Sequence, residues 1–169
     1  MEDINIKNLF ENYRNIILEA MPFAQVEHVG GSSIPGINTK GDLDIQIRVD
    51  NKDFLKAVAK CDEIFLSRYK EIWADEFALF GDPKQVIKID IMLTVVDSAY
   101  DSFYQIRDAM INDHTLLERY NELKKQYSNF LSDDYRKAKH LFFRQLEKEL
   151  GLKVRPESNF VEVSNYKLK

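Results

Sequence analysis

The feature that most restricts the fold of this 169-residue chain is a strand that ends in a turn of glycine and serine. Residues 25–29 predict the strand, and Gly30-Gly31-Ser32-Ser33 follows it directly. Eleven residues after Gly31, Asp42-Leu43-Asp44 opens a second strand, 43–49, in which apolar and polar side chains alternate. Each motif alone is an ordinary turn or a solvated strand start. Together, at this spacing, they favour a functional site.

The rest of the pattern predicts an α/β (α+β) fold. Helices are expected at residues 5–20, from 50 or 51 to about 60, and at 100–112, 113–127 and 132–150, with further strands at 64–68, 72–80 and 86–96. This order predicts a mixed β-sheet flanked by helices, with a helical C-terminal third. We expect one domain over residues 1–169, with a core at about 22–97, a helical part at about 100–152, and a last strand or arm after Pro156.

Composition restricts the location and the partners. The chain is 44% hydrophobic and 31% charged, as in ordinary soluble domains. No apolar run approaches the roughly 20 residues that span a bilayer, and no signal-peptide pattern follows Met1. A cytoplasmic protein without a membrane partner is therefore expected. The net charge of −4 disfavours duplex nucleic acid, which binds to basic surfaces, but suits a metal site with several carboxylates.

The residue types of the turn suit phosphate. Gly30 and Gly31 let the backbone approach a phosphate group closely, and backbone N–H groups can bind its oxygens. Ser32 and Ser33 add hydroxyl donors. The sequence therefore predicts that the phosphates of a nucleoside triphosphate lie at residues 30–33.

The carboxylates suit a divalent cation. Asp42 and Asp44 lie two residues apart at a strand, so both project from one face and can hold Mg²⁺ or Mn²⁺. Two such ions can clamp the attacking and leaving oxygens of an in-line displacement. Asp90, between apolar neighbours in the strand predicted at 86–96, is the candidate third carboxylate and general base. Alternatively, it is a structural acid paired with Lys88 or Arg48.

The pairing of Gly-Gly-Ser with Asp-x-Asp resembles the signature of the DNA polymerase beta-like nucleotidyltransferase superfamily, and within it the GrpB family. The residues that carry the family resemblance are His28-Val29-Gly30-Gly31-Ser32-Ser33-Ile34-Pro35-Gly36, Lys40-Gly41-Asp42-Leu43-Asp44-Ile45, Ile106-Arg107-Asp108, Tyr120-Asn121-Glu122-Leu123-Lys124, and Tyr135 with Ala138-Lys139 and Phe142. They extend from about Glu27 to Leu150. The chain departs from the family at Gly31, where serine is frequent, and at Asp42, where an acid is often missing.

The resemblance implies a metal-dependent nucleotidyltransferase-like protein. It would transfer a nucleotidyl group from a nucleoside triphosphate to a small-molecule or protein acceptor. His28, Arg107 and Lys139, which lie in family-like motifs, and Lys40, next to the carboxylates, are further candidate nucleotide-binding residues. The plainer interpretations are a core histidine and solvated basic side chains.

Two other functions fit the same sequence. The first is a non-catalytic module that keeps a nucleotide or metal pocket on this fold. The second is a phosphate-binding hydrolase or transferase that uses the pocket for another cofactor. Release of pyrophosphate from a triphosphate would separate catalysis of nucleotidyl transfer from both. The sequence leaves the acceptor, the base preference and the oligomeric state open.

Overall fold

The fold is built on one mixed β-sheet. The computed structural model describes residues 5–37, 39, 41–127 and 132–156. Across these residues five strands run in the order β1-β2-β5-β4-β3. They are β1 (Gln25–Val29), β2 (Leu43–Val49), β3 (Leu66–Ser67), β4 (Phe77–Gly81) and β5 (Ile89–Val95). β2 and β5 are parallel, whereas β1 with β2, β4 with β5 and β3 with β4 are antiparallel. The parallel pair brings the beginnings of β2 and β5 to the same edge of the sheet.

Two N-terminal helices cover one face of the sheet. They are α1 (Ile6–Ala20) and α2 (Phe54–Ile64). Because side chains alternate along a strand, β2 turns Leu43, Ile45 and Ile47 toward these helices, and all three are fully buried there. The predicted alternation of β2 therefore builds the main hydrophobic core.

The opposite face of the sheet carries polar as well as apolar side chains. Gln46 and Thr94 are fully buried there, and a hydrogen bond of 3.0 Å joins their side chains. The side-chain oxygen of Gln46 also accepts from the backbone N–H of Tyr104, which fixes the start of α3 (Phe103–Asn112) over β2. The polar half of β2 is thus covered by protein rather than by solvent.

The C-terminal helices pack into a second core beside the sheet. α4 (His114–Lys125) and α5 (Asp133–Glu149) follow α3, and their contacts centre on residues such as Ile106, Met110 and Leu146. α4 and α5 begin at side-chain caps, since Asp113 accepts from the amide of Thr115, and Ser132 accepts from that of Tyr135. This helical part stands beside the edge where β2 and β5 begin.

The predicted fold class is confirmed, including the helical C-terminal part. β1 and β2 match the predicted residues, and α1, α4 and α5 match within two residues at each end. The fate of a last strand after Pro156 lies outside the described residues. No helix within the described ranges is long and apolar enough to cross a membrane.

Three predicted boundaries were wrong. α2 continues to Ile64 instead of ending near residue 60, which leaves β3 only two residues. β4 starts at Phe77 and not at 72, because Tyr69 adopts a left-handed φ of 47° and residues Lys70–Ile72 form a 3₁₀ turn. β5 starts at Ile89 and not at 86, where Val86 is 93% exposed.

The start of α3 also differs from the prediction. It begins at Phe103 rather than at residue 100. The amide of Asp101 donates to the carbonyl of Ser98 in a turn, and the carboxylate of Asp101 points into the polar face of the sheet. That buried carboxylate is what holds the preceding residues in a turn instead of a helix.

Candidate functional site

The turn after β1 depends on a glycine. Gly30 has φ 71° and ψ −171°, a conformation that is essentially restricted to glycine. One 3₁₀ turn, Gly31–Ser33, follows. The amides of Ser33 and Ile34 donate to the carbonyls of Gly30 and Gly31, and the Ser33 hydroxyl donates to the Gly30 carbonyl at 2.6 Å. Ser33 thus holds the turn closed, while the first amides of such a turn have no partner within it.

Gly30 also lies directly against Asp44. A Cβ placed on Gly30 would be 2.0 Å from Oδ2 of Asp44, well inside contact distance. β1 and β2 are antiparallel, with Val29 opposite Asp44, which explains how the end of one strand meets the start of the next. The glycine turn and the first carboxylate of β2 therefore form one continuous surface.

The structure brings Asp44 and Asp90 side by side. The two residues are register partners on the parallel strands β2 and β5. Asp42 precedes β2 by one residue, and its negative charge contributes to the environment of Asp44. Asp90 is thus the register neighbour of the second carboxylate of the Asp-x-Asp motif.

Burial makes the charged form of Asp44 unfavourable. Burial raises the pKa of its carboxyl to about 6, and the negative charge of Asp90 adds to the effect. The positive charges of Lys139 and Lys88 lower this pKa but do not cancel the rise. Asp44 is therefore a carboxylate whose charged form is disfavoured, chiefly by burial.

Asp90, in contrast, is held by two basic side chains. Arg68 Nη1 donates to Oδ1 at 3.0 Å, and the ammonium of Lys88 donates to Oδ2. The side chain of Asp90 is only 17% exposed. Of the two partners that the sequence suggested, Lys88 is present, whereas Arg48 binds Asp101 instead.

Arg68 is the main residue that sequence reasoning missed. It follows the two-residue strand β3, and its side chain reaches Asp90 past Gly81 of β4. A Cβ on Gly81 would be 2.6 Å from Cδ of Arg68. The glycine in β4 leaves the space that Arg68 occupies, but nothing in the local pattern around residue 68 indicated that it lies two strands away from its partner.

His28 contacts the glycine turn through Ser32. Its Nε2 lies 3.0 Å from Oγ of Ser32, within hydrogen-bonding distance, and its ring stacks on Phe10 with centroids 5.0 Å apart. Burial, followed by the positive charge of Arg107, lowers the pKa of His28. A neutral imidazole beside Ser32 fits both the predicted site role and a packed histidine.

The other predicted basic residues differ in placement. Arg107 donates from Nη1 to Glu27 and to the carbonyl of His28, both at 2.8 Å, so it braces the end of β1. Lys139 on α5 lies close enough to Asp44 for its charge to lower the pKa of that carboxyl. Lys40 lies outside the described residues.

Two tyrosines border the site on the side of the helices. Tyr120 of α4 is 5% exposed, and burial raises its pKa to about 12, with a smaller contribution from the charge of Asp44. A hydrogen bond links Tyr120 to Tyr135 of α5, whose pKa is also raised by burial. In the sequence, Tyr120 opens the family-like stretch at residues 120–124. Its helical spacing gave no sign that its hydroxyl end approaches the carboxylates.

The donor set fits a hard divalent cation. Two neighbouring carboxylates offer oxygen ligands, and a bound ion would favour the charged form of Asp44, which burial disfavours. In the part of the chain that the structure describes, no group of three or more His, Cys, Asp or Glu side chains is close enough to hold a metal ion. Magnesium is commonly held by one or two carboxylates together with waters and substrate phosphates.

Comparison with known proteins finds a matching family model, a sequence relative and a solved structure. The family model described as GrpB protein matches residues 2–149. A UPF0157 protein from Vibrio cholerae serotype O1 is 31% identical over 148 residues, which cover 86% of this chain and 76% of that protein. The crystal structure of the conserved protein GrpB from Enterococcus faecalis superimposes with a TM-score of 0.63 at 17% identity, over 88% of this chain and 96% of that chain.

A more distant structural match is the Cid1 poly(U) polymerase bound to MgATP. Its TM-score is 0.49 at 12% identity, over 69% of this chain and 38% of that chain. A likeness this weak carries no inference about function.

Proposed function

This chain belongs to the GrpB protein family, and from the geometry of its site we propose that it is a metal-dependent nucleotidyltransferase. It transfers a nucleotidyl group from a nucleoside triphosphate to a small-molecule or protein acceptor. The observation that carries the proposal is the contact of Gly30 with Asp44, which itself lies in register with Asp90. A phosphate-binding turn and two carboxylates thus adjoin one another.

The turn supplies the contacts for the phosphates. The amides of Gly31 and Ser32 are the first of a 3₁₀ turn, and the hydroxyl of Ser32 lies beside His28. If His28 donates from Nε2, the hydroxyl of Ser32 is free to donate to a phosphate oxygen. Ser33 contributes by holding the turn closed, and Lys139 supplies positive charge from α5.

The carboxylates supply the ion site and the base. Asp44 and Asp90, with Asp42 beside them, would hold Mg²⁺ or Mn²⁺, which neutralises charge on the phosphates and on the leaving pyrophosphate. The acceptor oxygen forms a bond to the α-phosphorus as the bond to pyrophosphate breaks. Asp90 would take the proton of the acceptor hydroxyl once one of its oxygens is released from its basic partner.

The test combines ligand binding with turnover. We expect a triphosphate to raise the midpoint of thermal unfolding only with Mg²⁺ or Mn²⁺, because a ligand that binds the folded state stabilises it. The rise should be lost in Asp42→Asn/Asp44→Asn and kept in Asp50→Asn, which changes an exposed acid at the other end of β2. Pyrophosphate release in an acceptor screen then tests transfer. No rise with any triphosphate would contradict the proposal.

A non-catalytic module is the second candidate. It is favoured by one observation, the contact of both oxygens of Asp90 with basic side chains, which blocks its action as a base in this arrangement. Metal-dependent binding of triphosphate without pyrophosphate release, across a broad range of acceptors, would support this candidate.

A further inference from the structure

The two carboxylates of the site are not equivalent, and Arg68 is the reason. Asp90 is bound at Oδ1 by Arg68, while no such arginine contact is present at Asp44 within the described ranges. The guanidinium crosses from the end of β3, past β4, to reach β5. Contacts with residues from neighbouring segments hold the Arg68 side chain in this extended position.

Hydrogen bonds and packing around Arg68 orient its side chain toward β5. Its amide donates to the carbonyl of Leu79 at 2.9 Å, and its own carbonyl accepts from the indole N–H of Trp73 at 2.9 Å. Tyr69 then takes the left-handed conformation, with its ring 5.2 Å from the guanidinium. On the far side, Gly81 leaves the space through which the side chain passes. These contacts aim Arg68 at Asp90.

An ion and Arg68 would compete for the same oxygen. A divalent cation would bind a carboxylate oxygen of Asp90, and the positively charged guanidinium now contacts Oδ1. We propose that Arg68 is a latch on Asp90, which must release Oδ1 before the divalent cation of the proposed function can bind. Arg68 thereby lowers the affinity of the site for the ion.

Lys88 is a weaker version of the same contact. Its side chain is 52% exposed, compared with 25% for Arg68, and it lies on a flexible stem just before β5. Solvent screening and side-chain freedom weaken exposed ion pairs. Arg68 is therefore the residue whose removal should change ion binding most.

The experiment measures Mn²⁺ affinity on the full chain, from the electron paramagnetic resonance signal of free Mn²⁺. The chains are the native protein, Arg68→Gln, Arg68→Lys, Arg14→Gln and Asp44→Asn. Arg14→Gln is the control for net charge, because it removes an exposed arginine from α1. Arg68→Gln should bind Mn²⁺ roughly three- to fivefold more tightly, the size expected for loss of a competing ion pair. Arg68→Lys and Arg14→Gln should stay near the native affinity.

The outcomes separate the latch from the proposed function. Equal or weaker binding by Arg68→Gln, with native binding that is lost in Asp44→Asn, would overturn the latch and leave the ion site intact. Such a result would mean that Arg68 only orients Asp90. If no chain binds Mn²⁺ in a manner that depends on Asp44, the metal-dependent function and the latch both fail.

Discussion

The two ends of the polar face of β2 treat buried charge differently. At one end, Arg48 forms a two-pronged ion pair with Asp101, at 2.6 and 2.7 Å, and Gln46 donates to the same carboxylate. Arg48 is 7% exposed and Asp101 3%. At the other end, Asp44 lies beside Asp90, and its pKa is raised to about 6.

The difference separates a structural network from a candidate site on one strand. Where charge and hydrogen bonding are balanced, the network fixes α3 on the sheet and leaves nothing for a ligand. At the other, unbalanced end, burial disfavours the charged form of Asp44, and a bound cation would offset this cost. The buried polar residues of β2 therefore differ in their partners. Arg48 is neutralised by an ion pair and belongs to the structural network, whereas Asp44 belongs to the candidate site.

The largest loss of stability is expected at the balanced end of β2, where Arg48 pairs with Asp101. Asp101→Ala leaves Arg48 buried without its carboxylate, and breaking such a pair costs about 3–5 kcal/mol in the free energy of unfolding. Urea denaturation measures this. Glu63→Ala, which removes one member of the exposed pair with Lys60, is the control and should change little. A loss for Asp101→Ala no larger than for Glu63→Ala would refute the assignment of this network to structure.

Gly30→Ala should cause the next largest loss of stability, for two reasons that both act at the unbalanced end of β2. The new methyl group meets the carboxylate of Asp44, and alanine is strained at a φ of 71°. Backbone strain of this kind costs about 1–3 kcal/mol, and the collision adds to it. Gly151→Ala is the comparison, since Gly151 also has a positive φ, 67°, but no atom within 4 Å of a Cβ. Thermal unfolding should therefore show a larger loss at Gly30.

Asp44→Asn should stabilise the protein at neutral pH. Because the folded pKa of about 6 exceeds the ordinary 3.8, the protonated form favours folding. The contribution to stability is complete below pH 3.8 and is lost as the pH rises through 6. The charged carboxylate then costs about 1–3 kcal/mol at pH 8, from roughly two pKa units. Asparagine avoids this cost.

Urea denaturation at pH 5 and pH 8 measures the difference. The gain from Asp44→Asn should be larger at pH 8 than at pH 5. Asp50→Asn removes one exposed carboxylate after the same strand and should show no comparable gain. A destabilised Asp44→Asn at pH 8 would mean that Asp44 has a stabilising partner in the folded state.

Much of the fold was predictable because it rests on local periodicity. The alternation in β2 correctly separated a core face, with Ile45 and Ile47, from a polar face, with Gln46 and Arg48. Boundaries failed where a tertiary contact overrides the local pattern. The carboxylate of Asp101 holds a turn where a helix was predicted, and the 3₁₀ turn Lys70–Ile72 takes the first residue of the strand predicted at 72–80.

The site was predictable only in part. Residues close in sequence, Gly30 and Asp44, could be joined by motif spacing, and Asp90 by its strand. Arg68 could not be assigned to the site, because its contact with Asp90 spans two strand spacings. No local sequence pattern predicts the strand order β5-β4-β3 on which that contact depends. The roles of the site residues themselves stay predictions that binding and turnover must test.

The smallest effect should come from the helical side of the unbalanced end. Lys139→Gln removes a positive charge that lowers the pKa of Asp44, so that pKa should rise by a fraction of a unit above about 6. A carboxyl carbon NMR titration measures the shift, and Lys137→Gln, exposed on the same helix, is the matched control. A rise in the first variant alone would connect α5 electrostatically with the carboxylates. An unchanged pKa in both would remove Lys139 from the site and leave Lys88 as the cation that moderates Asp44, because its charge acts on the same carboxyl.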